Sequence, residues 1–132
     1  MDFNPHVVRE TMRRVRKRWW KKRQTKLKQR RAHLRTPLWR RVYVTPIELH
    51  DGTIRPLKGP LARTLAHTTD VSLRGIGIVL GLPLRARHAI LTFILAGEES
   101  VSIVTKIEWT NRCSDRSYRY GGKFIAVAET PT

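Results

Sequence analysis

From Val42 onward the apolar residues fall into short runs cut by turn residues, and that spacing limits what the chain can fold into. Val42, Val44, Ile47 and Leu49 predict a strand, with Pro46 marking an edge or a bulge. Asp51-Gly52 predicts a hairpin between that run and Thr53-Ile54, and Lys58-Gly59-Pro60 predicts a second turn. Leu61 to Thr69 forms the next expected strand. Ile76 to Leu80 is a continuous apolar strand closed by Gly81 and Pro83, and Ala89 to Leu95 is the most apolar run of all. Val101, Ile103, Thr105, Ile107 and Trp109 then occupy alternate positions, as a strand with one buried face requires. Asn111 to Arg116 reads as a polar loop, and Tyr118 to Val127 as the last strand. Six or seven short strands joined by tight turns predict an antiparallel sheet closed, or nearly closed, into a barrel.

The first third of the chain follows another period. Val7 to about Arg35 lacks Gly and Pro and is rich in Arg, Lys, Gln, Leu and Met, so a long helix is expected there. Val8, Met12, Val15 and Trp19 fall at i, i+4, i+7 and i+11, an apolar stripe at helical spacing. Beyond Trp19 the stripe fails, and dense like charge weakens the helix on its own. The net charge of +17 is concentrated here: residues 1–41 hold 16 Lys/Arg against Asp2 and Glu10, and residues 42–132 hold 11 against 8 acids. Such a head implies an anionic partner. The expected division is a basic helical extension over residues 1–29 and a β-barrel domain over residues 30–132.

Two clusters carry the functional reading. Arg31 and Arg35 form R-x-x-x-R, with Arg30 adjacent, and Asp70, Ser72 and Gly75 form D-x-S-x-x-G, with Arg74 inside it. Taken alone, the stretch Asp70 to Ile78 is a hairpin corner, in which Gly75 and Gly77 permit positive φ or the close approach of another group. In this order, ahead of a β-rich remainder that includes Gly121-Gly122-Lys123-Phe124, the two clusters resemble the PilZ domain, a bacterial receptor for cyclic di-GMP. The resemblance covers about residues 30–127.

It implies a six-stranded antiparallel barrel, cyclic di-GMP as ligand with no further cofactor, and a binding set of Arg30, Arg31, Arg35, Asp70, Ser72, Arg74 and Gly75. The chemistry suits these residue types. An arginine fork bonds phosphate oxygens or a guanine O6/N7 edge in bidentate fashion, and a carboxylate matches the two donors of the guanine N1/N2 edge. PilZ domains often end in a helix that covers one barrel mouth. Here the sequence runs to Thr132 soon after the last strand, and the stripe on the N-terminal helix is expected to cover that mouth instead. Ligand binding would then be relayed by reorienting this helix, toward a protein partner the sequence does not name.

Other function classes find less support. His6, His33, His50, His67 and His88 lie on separate segments without metal-ligand spacing, and Cys113 has no evident base beside it. No Gly-rich phosphate loop, nucleophile elbow or paired-carboxylate signature occurs, so a receptor is expected, not an enzyme. A nucleic-acid-binding protein is the alternative, with Trp19-Trp20 among cations and the barrel as scaffold. Contact with an anionic membrane through residues 7–30 is a third reading. A lone cysteine and the lack of any apolar run of membrane length fit a cytoplasmic location.

Overall fold

A computed structural model of the protein describes residues 1–19, 36–37, 40–57, 63–95, 99–114 and 116–128. Among the described residues the chain is mainly β with one N-terminal helix. Helix α1 is Pro5–Trp19, and the strands are β1 Thr36–Pro37, β2 Arg41–His50, β3 Thr53–Pro56, β4 Thr64–Val71, β5 Gly75–Leu80, β6 His88–Ile94, β7 Ser100–Ser114 and β8 Ser117–Ala128.

α1 begins where its chemistry starts a helix. Asn4 is the N-cap: its side-chain oxygen accepts from the His6 N–H (2.9 Å) and its carbonyl accepts from the Val8 N–H (3.1 Å). Pro5 follows at the first helical position, where its missing N–H costs nothing. Val8, Met12, Val15 and Trp19 are the buried residues of the helix, as the stripe predicts. They join Val42, Leu73, Phe93 and Phe124 in the main core cluster. The apolar face of the expected extension is therefore part of the same core as the sheet. Of the helix expected from Val7 to Arg35, the part beyond Trp19 lies outside the described residues.

All strand pairings are antiparallel, and they form a circuit. β4 pairs with β5, β5 with β8, β8 with β7, β7 with β6, β6 with β2, and β2 returns to β4. β1 adds to β4, and β3 adds to β2. The sheet thus has eight strands, against the six expected, because two short strands flank the six that carry the circuit. Along these strands alternate residues turn inward: Val42 and Val44, Ile76, Ile78 and Leu80, Ala89, Leu91 and Phe93.

Three local features follow from single residues. β2 and β3 join through Asp51 (φ 47°) and Gly52 (φ 77°), the two positive-φ positions a tight two-residue hairpin requires. Among the described residues no other position has positive φ, so Gly75 does not use that freedom. Pro46 sits where β2 leaves β4 at Val44 and takes up β3 at Ile47, a gap between two ladders on one side of the strand. The polar loop expected at Asn111 to Arg116 is instead strand as far as Ser114. There β7 and β8 pair out to Ser114↔Ser117 as a ribbon whose β7 residues are exposed from Glu108 on, so no core face imposes apolar alternation.

His88 opens β6 beside Lys106 and Arg87, and burial together with these two cations lowers its pKa from the ordinary 6.5. The fold therefore favours the neutral imidazole, while the unfolded chain binds more protons around that pH. Stability from this group is present above pH 6.5 and is lost as the solution is acidified through and below it. In urea titrations between pH 5 and 8, His88→Gln should give a flatter pH dependence than wild type. Parallel profiles would mean that His88 does not sense the fold.

Candidate functional site

One row of cross-strand partners crosses five strands: Pro37 of β1 faces Asp70 of β4, Asp70 faces Gly77 of β5, Gly77 faces Gly121 of β8, and Gly121 faces Trp109 of β7. Cross-strand partners share a sheet face. Here it is the face away from the core, because Ile76, Ile78 and Tyr120, the neighbours of the two glycines, are buried inward.

The glycines carry no side chain at the middle of the row, and the side chains of Asp70 and Trp109 occupy the space this leaves. A Cβ on Gly77 would stand 2.2 Å from Asp70 Oδ1, and one on Gly121 would stand 1.9 Å from Trp109 Nε1. Two β-bulges aim these side chains. The register shifts between Thr68 and Asp70 bring Thr69 to the same side, where its hydroxyl donates to Asp70 Oδ1 (2.9 Å). A second shift between Ile107 and Trp109 turns the indole outward, 42% exposed. Lys123 and Arg119, two residues to either side of Gly121 on β8, project from the same face and are exposed. The result is an outward-facing row with a carboxylate on β4, an indole on β7, and cations on β8 to either side of it.

The turn beside this row is built by Ser72. Its hydroxyl accepts from the N–H groups of Arg74 (3.1 Å) and Gly75 (3.0 Å) and donates to the Gly75 carbonyl (3.2 Å), and its own N–H bonds the same carbonyl (2.9 Å). The residue is only 4% exposed. Leu73 is driven into the core by this turn, while Arg74 stays exposed and its carbonyl accepts from the Phe124 N–H (2.8 Å). Ser72 thus shapes the site and leaves no side-chain group facing outward. Ser72→Ala removes the acceptor of two N–H groups, a loss of about 1–3 kcal/mol. Urea unfolding followed by circular dichroism measures it, and a change below a few tenths of a kcal/mol would contradict this role.

Of the site residues expected from sequence, Asp70, Ser72, Arg74 and Gly75 come together at this turn and the end of the row beside it. Arg30, Arg31 and Arg35 lie outside the described residues. Thr36, which follows Arg35 directly, pairs with Val71, and Pro37 pairs with Asp70. The chain leaving R-x-x-x-R therefore arrives alongside the D-x-S-x-x-G carboxylate. Sequence reasoning did not find Trp109, Arg119 and Lys123. Trp109 reads as the next inward position of an alternating strand, and only the bulge before it reverses its side. The glycine at 77 was open to close approach on sequence grounds, but its partner Gly121 emerges only from the register.

Among the described residues no group of three His, Cys, Asp or Glu could hold a metal ion, and no helix is long and apolar enough to cross a membrane. Comparison with protein-family models, curated proteins and solved structures finds no match.

Proposed function

We propose that the protein is a cyclic di-GMP receptor of the PilZ type, built as a small closed barrel. The observation that carries this reading is the Pro37–Asp70–Gly77–Gly121–Trp109 row, where the carboxylate of one motif meets the strand that continues the other. In this reading Asp70 accepts the N1–H and N2–H₂ donors of one guanine. Trp109 offers the indole face on which a base stacks. Arg30, Arg31 and Arg35 close over the phosphates and the O6/N7 edges, with Arg74, Arg119 and Lys123 adding positive potential. Gly75 lets backbone and ligand approach, and Gly77 leaves room for the Asp70 carboxylate and the Thr69 hydroxyl that fold over it. No bond is made or broken, and the output is closure of the arginine segment over the ligand, relayed by reorienting the N-terminal helix, in the cytoplasm, to a downstream protein.

Isothermal calorimetry of the full chain with cyclic di-GMP in low salt tests the proposal. Saturable binding at micromolar concentrations is the expected result, with GMP and cyclic di-AMP much weaker. Absence of heat and of any competition with a labelled dinucleotide would end this reading.

Nucleic-acid binding is the second reading, favoured by a groove of about 730 Å³ at the end of α1, edged by Arg18, Arg40, Arg41 and His67. Steeply salt-dependent, sequence-blind mobility shifts that cyclic di-GMP leaves unchanged would favour it over the first.

A further inference from the structure

α1 and the turn between β4 and β5 do not meet flush. Between them lies a cavity of about 340 Å³, walled by Val8, Leu73 and Phe124 and edged by Arg9, Arg74 and Lys123. The three cations come from three separate elements: the helix, the turn and β8. Among the described residues none of the three side chains has an ion-pair or hydrogen-bond partner, and no carboxylate lines the cavity. Elsewhere on α1, Arg13 pairs with Glu10 and Arg18 with Glu99.

Gathering like charges around low-dielectric walls is unfavourable unless an anion relieves it. The walls, in turn, favour an apolar body over water. A volume of 340 Å³ equals roughly eleven waters at their liquid share of about 30 Å³, and falls at the small end of ligand pockets. Inorganic phosphate would satisfy the cations and leave the walls wet, whereas an alcohol would fill the walls and leave the cations bare. We infer that this cavity binds a small soluble organic anion, a phosphate monoester or carboxylate carried on a short apolar body. A lipid surface fits less well, because the apolar stripe of α1 is already buried in the core.

The site shares Arg74 and Lys123 with the proposed dinucleotide surface but does not rest on that reading, since Val8 and Arg9 belong to the helix. Its occupant would bridge α1 to the turn that Ser72 builds, giving that turn a second ligand of different chemistry.

The test is a titration of the ¹⁵N-labelled full chain with hexyl phosphate, hexanol and inorganic phosphate, followed at the amides of Val8, Arg9, Leu73, Arg74 and Phe124. Hexyl phosphate should move these amides saturably, with a dissociation constant about tenfold or more below either half-ligand, since each charge-assisted bond is worth about that factor. Arg9→Ala should weaken it about tenfold and Arg9→Glu should abolish it, while Arg9→Lys keeps most of the affinity. Arg9 has no side-chain partner to lose, so these variants should fold as wild type does. Weak shifts scattered over the basic surface and indifferent to Arg9→Glu would overturn the inference. So would binding to phosphatidic acid vesicles with no response to hexyl phosphate. Cyclic di-GMP added to the same samples keeps the two proposals separate: it should bind the Arg9→Ala protein unchanged, and its failure to bind wild type would leave the hexyl phosphate result standing.

Discussion

Replacing Trp19 with alanine should destabilise the protein by about 3–5 kcal/mol, a large share of the 5–15 kcal/mol typical of a domain. The side chain is 7% exposed, and its ring lies 5.2 Å from that of Phe93 at a tilt of 60°. Its indole N–H donates to the Ile94 carbonyl (3.1 Å), and its own carbonyl accepts from Arg40 Nη2 (2.9 Å). Arg18 beside it pairs with Glu99 at 3.3 Å. Trp19 therefore pins the last turn of α1 to the end of β6 and to the start of β2 at once. Truncation removes the ring, opens a cavity against Phe93 and leaves the Ile94 carbonyl without its donor. Trp19→Phe should lose the hydrogen bond but keep most of the packing, and so cost about 1 kcal/mol. Urea unfolding followed by far-ultraviolet circular dichroism separates the two variants, since three other tryptophans complicate fluorescence. Equal and small losses in both would mean that the helix end is not anchored by this residue.

Asp70→Ala should weaken cyclic di-GMP binding by roughly a hundredfold, the effect of losing two charge-assisted hydrogen bonds to one guanine edge. Asp70→Asn should rescue little of it, because the amide keeps the shape but sets N–H₂ donors against guanine donors. Trp109→Ala should cost roughly tenfold to a hundredfold, the range measured for removing one aromatic from a base stack, and Trp109→Phe should restore most of that. Both residues stand on the outer face, so thermal unfolding of these variants should stay close to wild type. The same calorimetric titration reads all four. Unchanged affinity in Asp70→Ala and Trp109→Ala together would remove this row as the binding site, whatever the arginines do.

The parts of the fold that the sequence makes legible are those fixed by local chemistry. Val8, Met12, Val15 and Trp19 declare their burial because helical period and side-chain type agree, and Asp51-Gly52 declares its turn because few other residues reach positive φ at so little cost. The hairpin at Ser72 is legible for another reason: a serine hydroxyl can bond the backbone two and three residues on. What is not legible depends on register between strands distant in the chain. Gly77 and Gly121 are separated by 44 positions, yet face each other. Trp109 looks inward by alternation and points outward because one bulge precedes it. The far end of β7 escapes a pattern-based reading for the opposite reason: a ribbon without a core has no pattern to show. The site is thus half visible in sequence, as a motif at Asp70, and half hidden, as the strands that bring a second glycine and an aromatic beside it.

The anchoring of Trp19 and the pairing of Thr36 with Val71 bear on how much entropy a ligand must overcome. Residues 20–35, sixteen in all, span two fixed ends, one held by β6 and β2 and the other by β4. Closing a chain of that length from free ends costs about 2.5 kcal/mol, as three halves of RT times the logarithm of the residue number. Folding meets that cost before any anion arrives. An anion met by Arg31 and Arg35 would meet a segment whose two ends the fold already holds, so the closure term does not fall on its binding.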